Sequence, residues 1–84
     1  MKQIAEYIKQ HGQTNRIGVG YWLQLPSKVH VSKKVYACEL WYIDTTGELN
    51  ISCMDDSRGT SYLIQWRLAS NSLRLKIKKQ LNLN

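Results

Sequence analysis

The sequence of 84 residues contains no phenylalanine, one proline and two cysteines. Its aromatic residues are three tryptophans and five tyrosines, each with a polar group, so they are suited to half-buried positions at an interface rather than to a dry core. Cys38 and Cys53 are too few and too far apart for a CxxC or zinc-ribbon site, and neither histidine lies near them in sequence. We therefore predict no metal and no cofactor.

Long apolar runs and an excess of acidic residues are also absent. No stretch approaches the roughly 18 apolar residues of a membrane span, and residues 1–6 lack the apolar segment of a signal peptide, so we expect a cytoplasmic protein that does not bind membranes. Twelve Lys and Arg residues stand against six acidic ones, and the net charge of +6 attracts polyanions. The length predicts a single domain over residues 1–84, which excludes an enzyme with separate cofactor and substrate domains.

The motif Gly18-Val19-Gly20 lacks the third glycine of a dinucleotide-binding loop, because residue 23 is leucine. Such a loop also needs a helix after it, and the residues that follow, up to Pro26, are not typical of a helix. The two glycines are better explained as members of a strand. Their missing side chains leave one strand face bare around Trp22, so that either a ligand or another backbone can approach closely, or an aromatic ring can lie across the glycines and stabilise the strand.

Apolar residues recur at helical spacing near the start of the chain. Ile4, Ala5 and Ile8 follow Met1 at intervals of three and four, which predicts an amphipathic helix over residues 2–11, ended by Gly12 in the left-handed conformation. From residue 16 the period changes to two, which predicts a half-buried strand over residues 16–25. This strand is expected to end at Pro26, and residues 27–34 are predicted to form mainly a loop, with a short strand at 29–31 as an option.

Four further segments have the alternation of strands: residues 35–43, 48–54, 61–68 and 73–78. If residues 44–47 form the turn of the first hairpin, Leu40 lies opposite Ile51 and Cys38 opposite Cys53; the cysteines could then be bonded under oxidising conditions or be paired small hydrophobes in the cytosol. The sequence thus predicts an α+β fold, in which an N-terminal helix precedes a five-stranded antiparallel sheet curled into a small barrel. Residues 62–81 also fit helical spacing, and four strands followed by a C-terminal helix is the alternative.

Two short motifs resemble those of the Sm family, whose bacterial member is Hfq. The segment Leu40–Asp44 followed by Leu49–Ile51 is similar to the first Sm motif, and Trp66–Ala69 is similar to the second motif of Hfq. The sequence departs from the family at the position of the uridine-stacking aromatic, which is Thr46, and at the histidine of the second motif, which is Leu68. The resemblance implies a small RNA-binding barrel that forms a ring of subunits joined edge to edge.

Basic groups combined with exposed aromatics are typical of proteins that bind unpaired nucleic acid, because cations neutralise phosphates and aromatic rings stack on bases. Trp22 and Trp41 are expected on the polar faces of their strands, whereas Trp66 shares a face with apolar residues and is expected in the core. We therefore predict a small non-enzymatic module that binds RNA or single-stranded DNA. Its expected contact residues are Arg16, Trp22, Lys33, Lys34, Trp41, Arg58, Arg67, Arg74, Lys76, Lys78 and Lys79.

Two other functions stay open. A protein-binding inhibitor or adaptor, of the kind that phages and other mobile elements encode, would use the same aromatic face or an edge strand, and an acidic partner would be attracted by the same charge. A ribonuclease toxin would need a convergent acid and base, for which the candidates are His30, Glu39, Asp55, Asp56 and Arg58. Residues 55–59 have the composition of a solvated turn instead, so we predict that the protein is not an enzyme. Its small core also leaves a homo-oligomer open.

Overall fold

The computed structural model describes residues 2–14 and 20–83, in which two helices pack against an antiparallel sheet. The elements, in chain order, are α1 (Lys2–His11), β1 (Gln13–Thr14), β2 (Gly20–His30), β3 (Val35–Ile43), β4 (Glu48–Asp55), β5 (Thr60–Gln65), a 3-10 turn (Trp66–Leu68) and α2 (Asn71–Gln80). The strands lie side by side in chain order, each antiparallel to the next. The predicted α+β class and the five-stranded antiparallel sheet are confirmed. Over the described residues the sheet is open, with β1 and β5 at its edges.

Helix α1 covers the predicted residues 2–11 and buries Ile4, Ala5 and Ile8. The prediction for Gly12 was wrong, because this glycine does not have a positive φ. A Cβ atom at Gly12 would lie 2.6 Å from the carbonyl oxygens of both Ile8 and Trp22. Glycine is therefore required here because the end of α1 and the backbone of β2 approach closely, and not because the chain needs a left-handed residue.

Strand β2 continues past Pro26 to His30, so the predicted strand end at residue 25 and most of the predicted loop were wrong. The pairing with β3 shifts between Gln24 and Val29, which leaves Pro26 in an irregular segment where no ladder hydrogen bond requires its missing N–H. The backbone N–H of Ser27, in the same segment, donates to Oε1 of Gln80 at 3.3 Å. Residues 16–19 of the predicted strand lie outside the described residues.

The register of β3 and β4 follows the prediction from the Ile43 and Glu48 pair to the Glu39 and Ser52 pair. It then shifts by one residue, so that Cys53 lies opposite Ala37 and the predicted pairing with Cys38 was wrong. The bulge keeps Ala37 in the core, where it and Cys53 are fully buried. Both cysteines are free thiols, and burial raises the pKa of each thiol, which makes them weak nucleophiles at neutral pH.

The chain after β5 forms helical structure, so the predicted strand over residues 73–78 was wrong, as was the strand ending at residue 68. The alternative C-terminal helix is the correct one, and the fifth strand of the sheet is β1. Ser70 caps α2 by accepting a hydrogen bond from the backbone N–H of Leu73 at 3.2 Å. Leu73, Ile77 and Leu81 are buried at a spacing of four residues, while Leu75 is 56% exposed. The helical spacing of the buried residues therefore describes this segment, and the alternation of apolar and basic residues over 73–78 does not indicate a strand.

Both helices pack on the same face of the sheet. The core joins Ile8 of α1 and Ile77 of α2 to strand residues on this covered face, such as Leu40, Leu49 and Ile51. Trp66 belongs to the same core and is 5% exposed, which confirms its predicted position. The opposite face of the sheet has neither helix on it and is called the open face below. Within residues 2–14 and 20–83 no helix has the length and apolar character that a membrane span requires.

Candidate binding face

Residues directly opposite each other on antiparallel strands point to the same side of the sheet. The strand pairings therefore define rows of side chains that cross the open face. One row, called the tryptophan row, includes all five strands and consists of Gln13, Trp22, Trp41, Asn50 and Gln65. The next row towards the β2–β3 turn consists of Gln24, Glu39, Ser52 and Leu63.

Trp22 and Trp41 form a cross-strand pair at the centre of the open face. Their ring centroids are 6.3 Å apart and their planes are inclined by 24°, so the two indoles are stacked. Each side chain is half-buried. Nε1 of Trp41 donates to Oε1 of Glu39 at 3.3 Å, which fixes the orientation of that ring. The pair thus forms a partly exposed aromatic surface at the centre of the open face.

A shallow pocket of about 200 Å³ adjoins Trp22 at the edge of the sheet. It lies where α1 turns into β1, and Gly12 allows the close approach of backbones there. The pocket extends the aromatic surface sideways towards His11. Its lining residues are His11, Gly12, Gln13, Trp22, Leu23 and Gln24.

A second aromatic pair, His30 and Tyr36, lies on the open face near the β2–β3 turn. Their ring centroids are 5.6 Å apart. Nζ of Lys28 lies 4.4 Å from the centre of the Tyr36 ring, a cation–π contact. The Tyr36 hydroxyl donates to Oδ1 of Asp56 at 3.4 Å. The open face therefore has an aromatic pair at its centre and another, beside a cation, near one end.

The predicted residues Lys33, Lys34 and Arg58 come together at this same end. Lys33 and Lys34 lie in the β2–β3 turn and Arg58 lies in the β4–β5 turn. The two turns are joined by a backbone hydrogen bond of 2.9 Å from the N–H of Asp56 to the carbonyl of Lys34. The side chain of Arg58 is 81% exposed, and its Nε lies 3.9 Å from Oδ2 of Asp55. With Lys28, these three residues form a group of cations that we call the basic end.

The other predicted cations lie away from the Trp22 and Trp41 pair. Arg67 is in the 3-10 turn, and Lys76, Lys78 and Lys79 are on α2, which packs on the covered face. Nζ of Lys76 lies 3.5 Å from the carbonyl oxygen of His30. Lys78 and Lys79 are in the last turn of α2, where positive charge complements the helix dipole. Arg16 lies outside the described residues.

The guanidinium group of Arg74 hydrogen-bonds within the protein, to the chain that precedes α2 and to the first turn of α2. Its Nη1 donates to the carbonyl oxygens of Trp66 at 3.1 Å and Ala69 at 2.6 Å, and its Nη2 donates to the side-chain oxygen of Asn71. These bonds join α2 to the end of the 3-10 turn. The planar, forked guanidinium group is suited to this set of acceptors, and a lysine cannot reproduce it.

We expect Arg74→Met to lower the free energy of unfolding by about 1.5–3 kcal/mol, because backbone carbonyls of the turn lose a charged donor. Urea denaturation followed by far-UV circular dichroism measures this loss. Lys79→Met, which removes an exposed cation from the same helix, serves as the matched control and should change stability by less than about 0.5 kcal/mol. Equal effects of the two substitutions would show that Arg74 does not hold the turn.

Asp55 and Ser57 form a hydrogen-bonded turn between β4 and β5. Oδ1 of Asp55 accepts hydrogen bonds from the Ser57 hydroxyl and, at 3.0 Å, from the Ser57 N–H. These bonds, the hydroxyl first, hold the pKa of the Asp55 carboxyl below its usual value, with a smaller contribution from Arg58. Asp55 is therefore a carboxylate of low basicity at neutral pH. Glu39, another candidate base, lies in the row next to the tryptophan row.

We expect Ser57→Ala to raise the pKa of Asp55 towards its usual value, because the strongest donor is removed. Since the lowered pKa favours the folded state only while the carboxyl is ionised, this contribution is present above the ordinary pKa and is lost as the pH falls through the lowered pKa. NMR titration of the Asp55 side chain measures the pKa, and urea denaturation at several pH values measures the change in stability. Thr45→Ala, in the other hairpin turn, is the control. An unchanged pKa in Ser57→Ala would contradict the assigned cause.

The described residues contain no group of three His, Cys, Asp or Glu side chains placed to hold a metal ion. Sequence reasoning did not identify the amide groups of the tryptophan row as functional candidates, although the predicted hairpin register already places Asn50 opposite Trp41. Gln13 and Gln65 could not be placed in this row without the pairings of β1 and β5.

Comparison with known proteins adds no relative, since no protein family, no curated protein and no solved structure matches the chain. The class that the structure defines is an α+β domain whose sheet has one face covered by two helices and one open face with a central tryptophan pair.

Proposed function

We propose that the protein is a non-enzymatic module that binds unpaired RNA or DNA strands on the open face of its sheet. The observation that supports this most strongly is the stacked pair of Trp22 and Trp41 on adjacent strands of that face. Aromatic rings presented by a sheet stack on unpaired bases, and such a contact contributes about 1–3 kcal/mol per base. In a duplex the base faces are already stacked on each other, so this surface favours single strands over double strands.

The amide side chains of the tryptophan row support the same function. Gln13, which is exposed, flanks Trp22, and Gln65, which is half-buried, lies two strands beyond Trp41; Asn50 between them is buried and takes no part in base contacts. An amide presents a donor and an acceptor side by side, the combination that pairs with the edges of bases. Bases stacked on the indoles would place their edges near these groups.

The distribution of charge indicates where the phosphates would lie. Glu39 is next to Trp41 and repels phosphate, whereas at the basic end the four cations Lys28, Lys33, Lys34 and Arg58 outnumber the two carboxylates of Asp55 and Asp56. We expect the sugar–phosphate backbone to run from the tryptophan pair towards the basic end. The cations of α2 would then act at long range, through the net charge of +6.

Titration of intrinsic tryptophan fluorescence with short uridine and deoxythymidine homopolymers tests this proposal, with a duplex DNA of equal length as the comparison. We expect quenching, tighter binding of single strands than of duplex, and an affinity that falls as salt rises. Contacts between three or four phosphates and the basic end give a slope of log K against log salt of about −2 to −3. Absence of binding at low salt, or an affinity independent of salt, would refute the proposal.

A protein partner is the second candidate, and one observation favours it. The row on the other side of the tryptophan row consists of Gly20, Ile43 and Glu48. Among the described strand residues of these three rows there are two acidic residues, Glu39 and Glu48, and no lysine or arginine. An apolar and amide-rich centre with acidic groups beside it also suits a protein surface. Affinity purification from the host with and without nuclease separates the two candidates, because a protein partner stays bound after nucleic acid is digested.

A further inference from the structure

Strand β5 forms one edge of the sheet, and its backbone groups on the outer side have no strand beside them in the described part of the chain. The residues Thr60, Ser61, Tyr62 and Leu63 are exposed. Two of them are large: Leu63 is 58% exposed and Tyr62 is 43% exposed. The edge thus combines free hydrogen-bonding groups with exposed apolar surface.

This edge has none of the features that usually prevent strands from pairing between molecules. Its sequence, Thr-Ser-Tyr-Leu-Ile-Gln, contains no charged residue and no proline, and its pairing with β4 is regular over all six residues. Natural edge strands are commonly protected by lysines, prolines, bulges or short length. At the opposite edge β1 has two residues, and β2, which continues beyond β1, carries Pro26, Lys28 and an irregular pairing with β3.

We infer that β5 pairs antiparallel with β5 of a second copy of this chain, about a twofold axis perpendicular to the sheet. Such an axis keeps the open faces of both copies on one side and pairs strand positions that share a face. In one register Leu63 meets its own copy and Ser61 meets Gln65. In the alternative register Tyr62 meets its own copy and Thr60 meets Ile64. Either register covers exposed apolar surface and brings no charged group into the strand pair.

A second copy is favoured because the twofold pairing is self-complementary: it sets the exposed side chain of Leu63 or Tyr62 against its own copy, and the strand itself contains no charged residue. The charges lie beyond its ends, where Arg58 precedes the strand and Arg67 follows it. Antiparallel pairing brings Arg58 of one copy towards Arg67 of the other, twice in the dimer. This repulsion, added to the net charge of +6 on each chain, is screened by salt. Dimer formation should therefore strengthen as salt rises.

This salt dependence is opposite to the one expected for nucleic-acid binding, so the two proposals can fail independently. The contact is a single strand pair, smaller than a standard protein interface, and we expect a dissociation constant on the order of 10 µM or weaker. Sedimentation equilibrium of the full chain at low and high salt measures it, with no nucleic acid present.

Leu63→Lys should abolish dimer formation, because it places two ammonium groups beside each other in the strand pair. Leu75→Lys is the matched control: Leu75 is 56% exposed but lies on α2, away from the edge, and the variant should dimerise like the unmodified chain. Arg67→Glu should strengthen the dimer by about 3- to 10-fold at low salt, because two repulsive contacts become opposite-charge pairs.

A chain that stays monomeric at high salt and high concentration would overturn this inference, and so would equal weakening by Leu63→Lys and Leu75→Lys. Circular dichroism of both variants checks that they are folded. Amide hydrogen exchange gives a second readout, since the outward N–H groups of β5 should become protected as the protein concentration rises.

Discussion

Replacing Trp66 with alanine is expected to lower the free energy of unfolding by about 3–5 kcal/mol. The indole is 5% exposed and lies in the core between the sheet and α2, and its backbone carbonyl accepts a hydrogen bond from Arg74. Truncation leaves a cavity that the surrounding side chains cannot fill. Since small domains are stable by only about 5–15 kcal/mol, this single change should remove a large part of the total.

Urea denaturation at several temperatures measures the effect, and Trp22→Ala is the control. Because Trp22 is half-buried on the open face, its removal should cost about 1–2 kcal/mol, well below the cost at Trp66. Equal losses at the two positions would contradict the separation of the tryptophans into one core residue and two surface residues.

Replacing both Trp22 and Trp41 with alanine is expected to weaken the binding of single-stranded oligonucleotides by about 100-fold. Each indole provides a stacking surface of about 1–3 kcal/mol, and a factor of ten corresponds to about 1.4 kcal/mol. Trp41→Phe should retain most of the affinity, because a phenyl ring also stacks. Anisotropy of a labelled oligonucleotide is the suitable measurement, since the variants lack the fluorescent side chains of the open face.

Two lysine variants test where the phosphates bind, one at the basic end and one as its control on α2. Lys33→Ala, at the basic end, should weaken binding several-fold and reduce the salt slope by about 0.7, the value for one phosphate contact with a single strand. Lys79→Ala, on α2, removes the same charge far from the tryptophan pair and should have a smaller effect. If the double tryptophan variant binds as tightly as the unmodified chain, the open face is not the nucleic-acid site.

The helix α1 and the β3–β4 hairpin could be predicted from the sequence because their signals are local. Ile4 and Ile8 are spaced by one helical turn, and Asp44 and Gly47 begin and end a turn of four residues. Once that turn is placed, the alternation of apolar residues leaves one register that keeps Leu40 and Ile51 on the same face. The bulge at Cys38 could not be predicted in this way, because a bulge changes the register without changing the local alternation of apolar and polar residues.

The C-terminal helix and the length of β2 depended on contacts between distant parts of the chain. Leu73 and Ile77 fit both a strand and a helix, and the burial of Leu81 together with the Ser70 cap decides for the helix. Pro26 ends a regular strand but is tolerated in an irregular one. The segment around it is held by Ser27 and Gln80, residues 53 positions apart that no local pattern connects.

The candidate site was predicted in part. The hairpin register placed Trp41 on the outer face, but its direct contact with Trp22 depends on the pairing of β2 with β3, which contains an irregularity of its own. Arg74 could not be distinguished from the neighbouring cations by sequence. Its hydrogen bonds to backbone carbonyls depend on its position in space relative to the 3-10 turn. The amide row needed all four strand pairings.

The stacked indoles of Trp22 and Trp41 also give the protein an internal optical reporter. Two indoles with centroids 6.3 Å apart couple their electronic transitions, and we expect an exciton couplet in circular dichroism if the two transition moments are not parallel. The couplet depends on both rings and on the angle between them, so it should disappear in either single alanine variant. A base that inserts beside the pair and tilts one ring would change its amplitude, while a ligand bound at the basic end would not. A spectrum of the unlabelled protein can thereby locate a ligand on its surface.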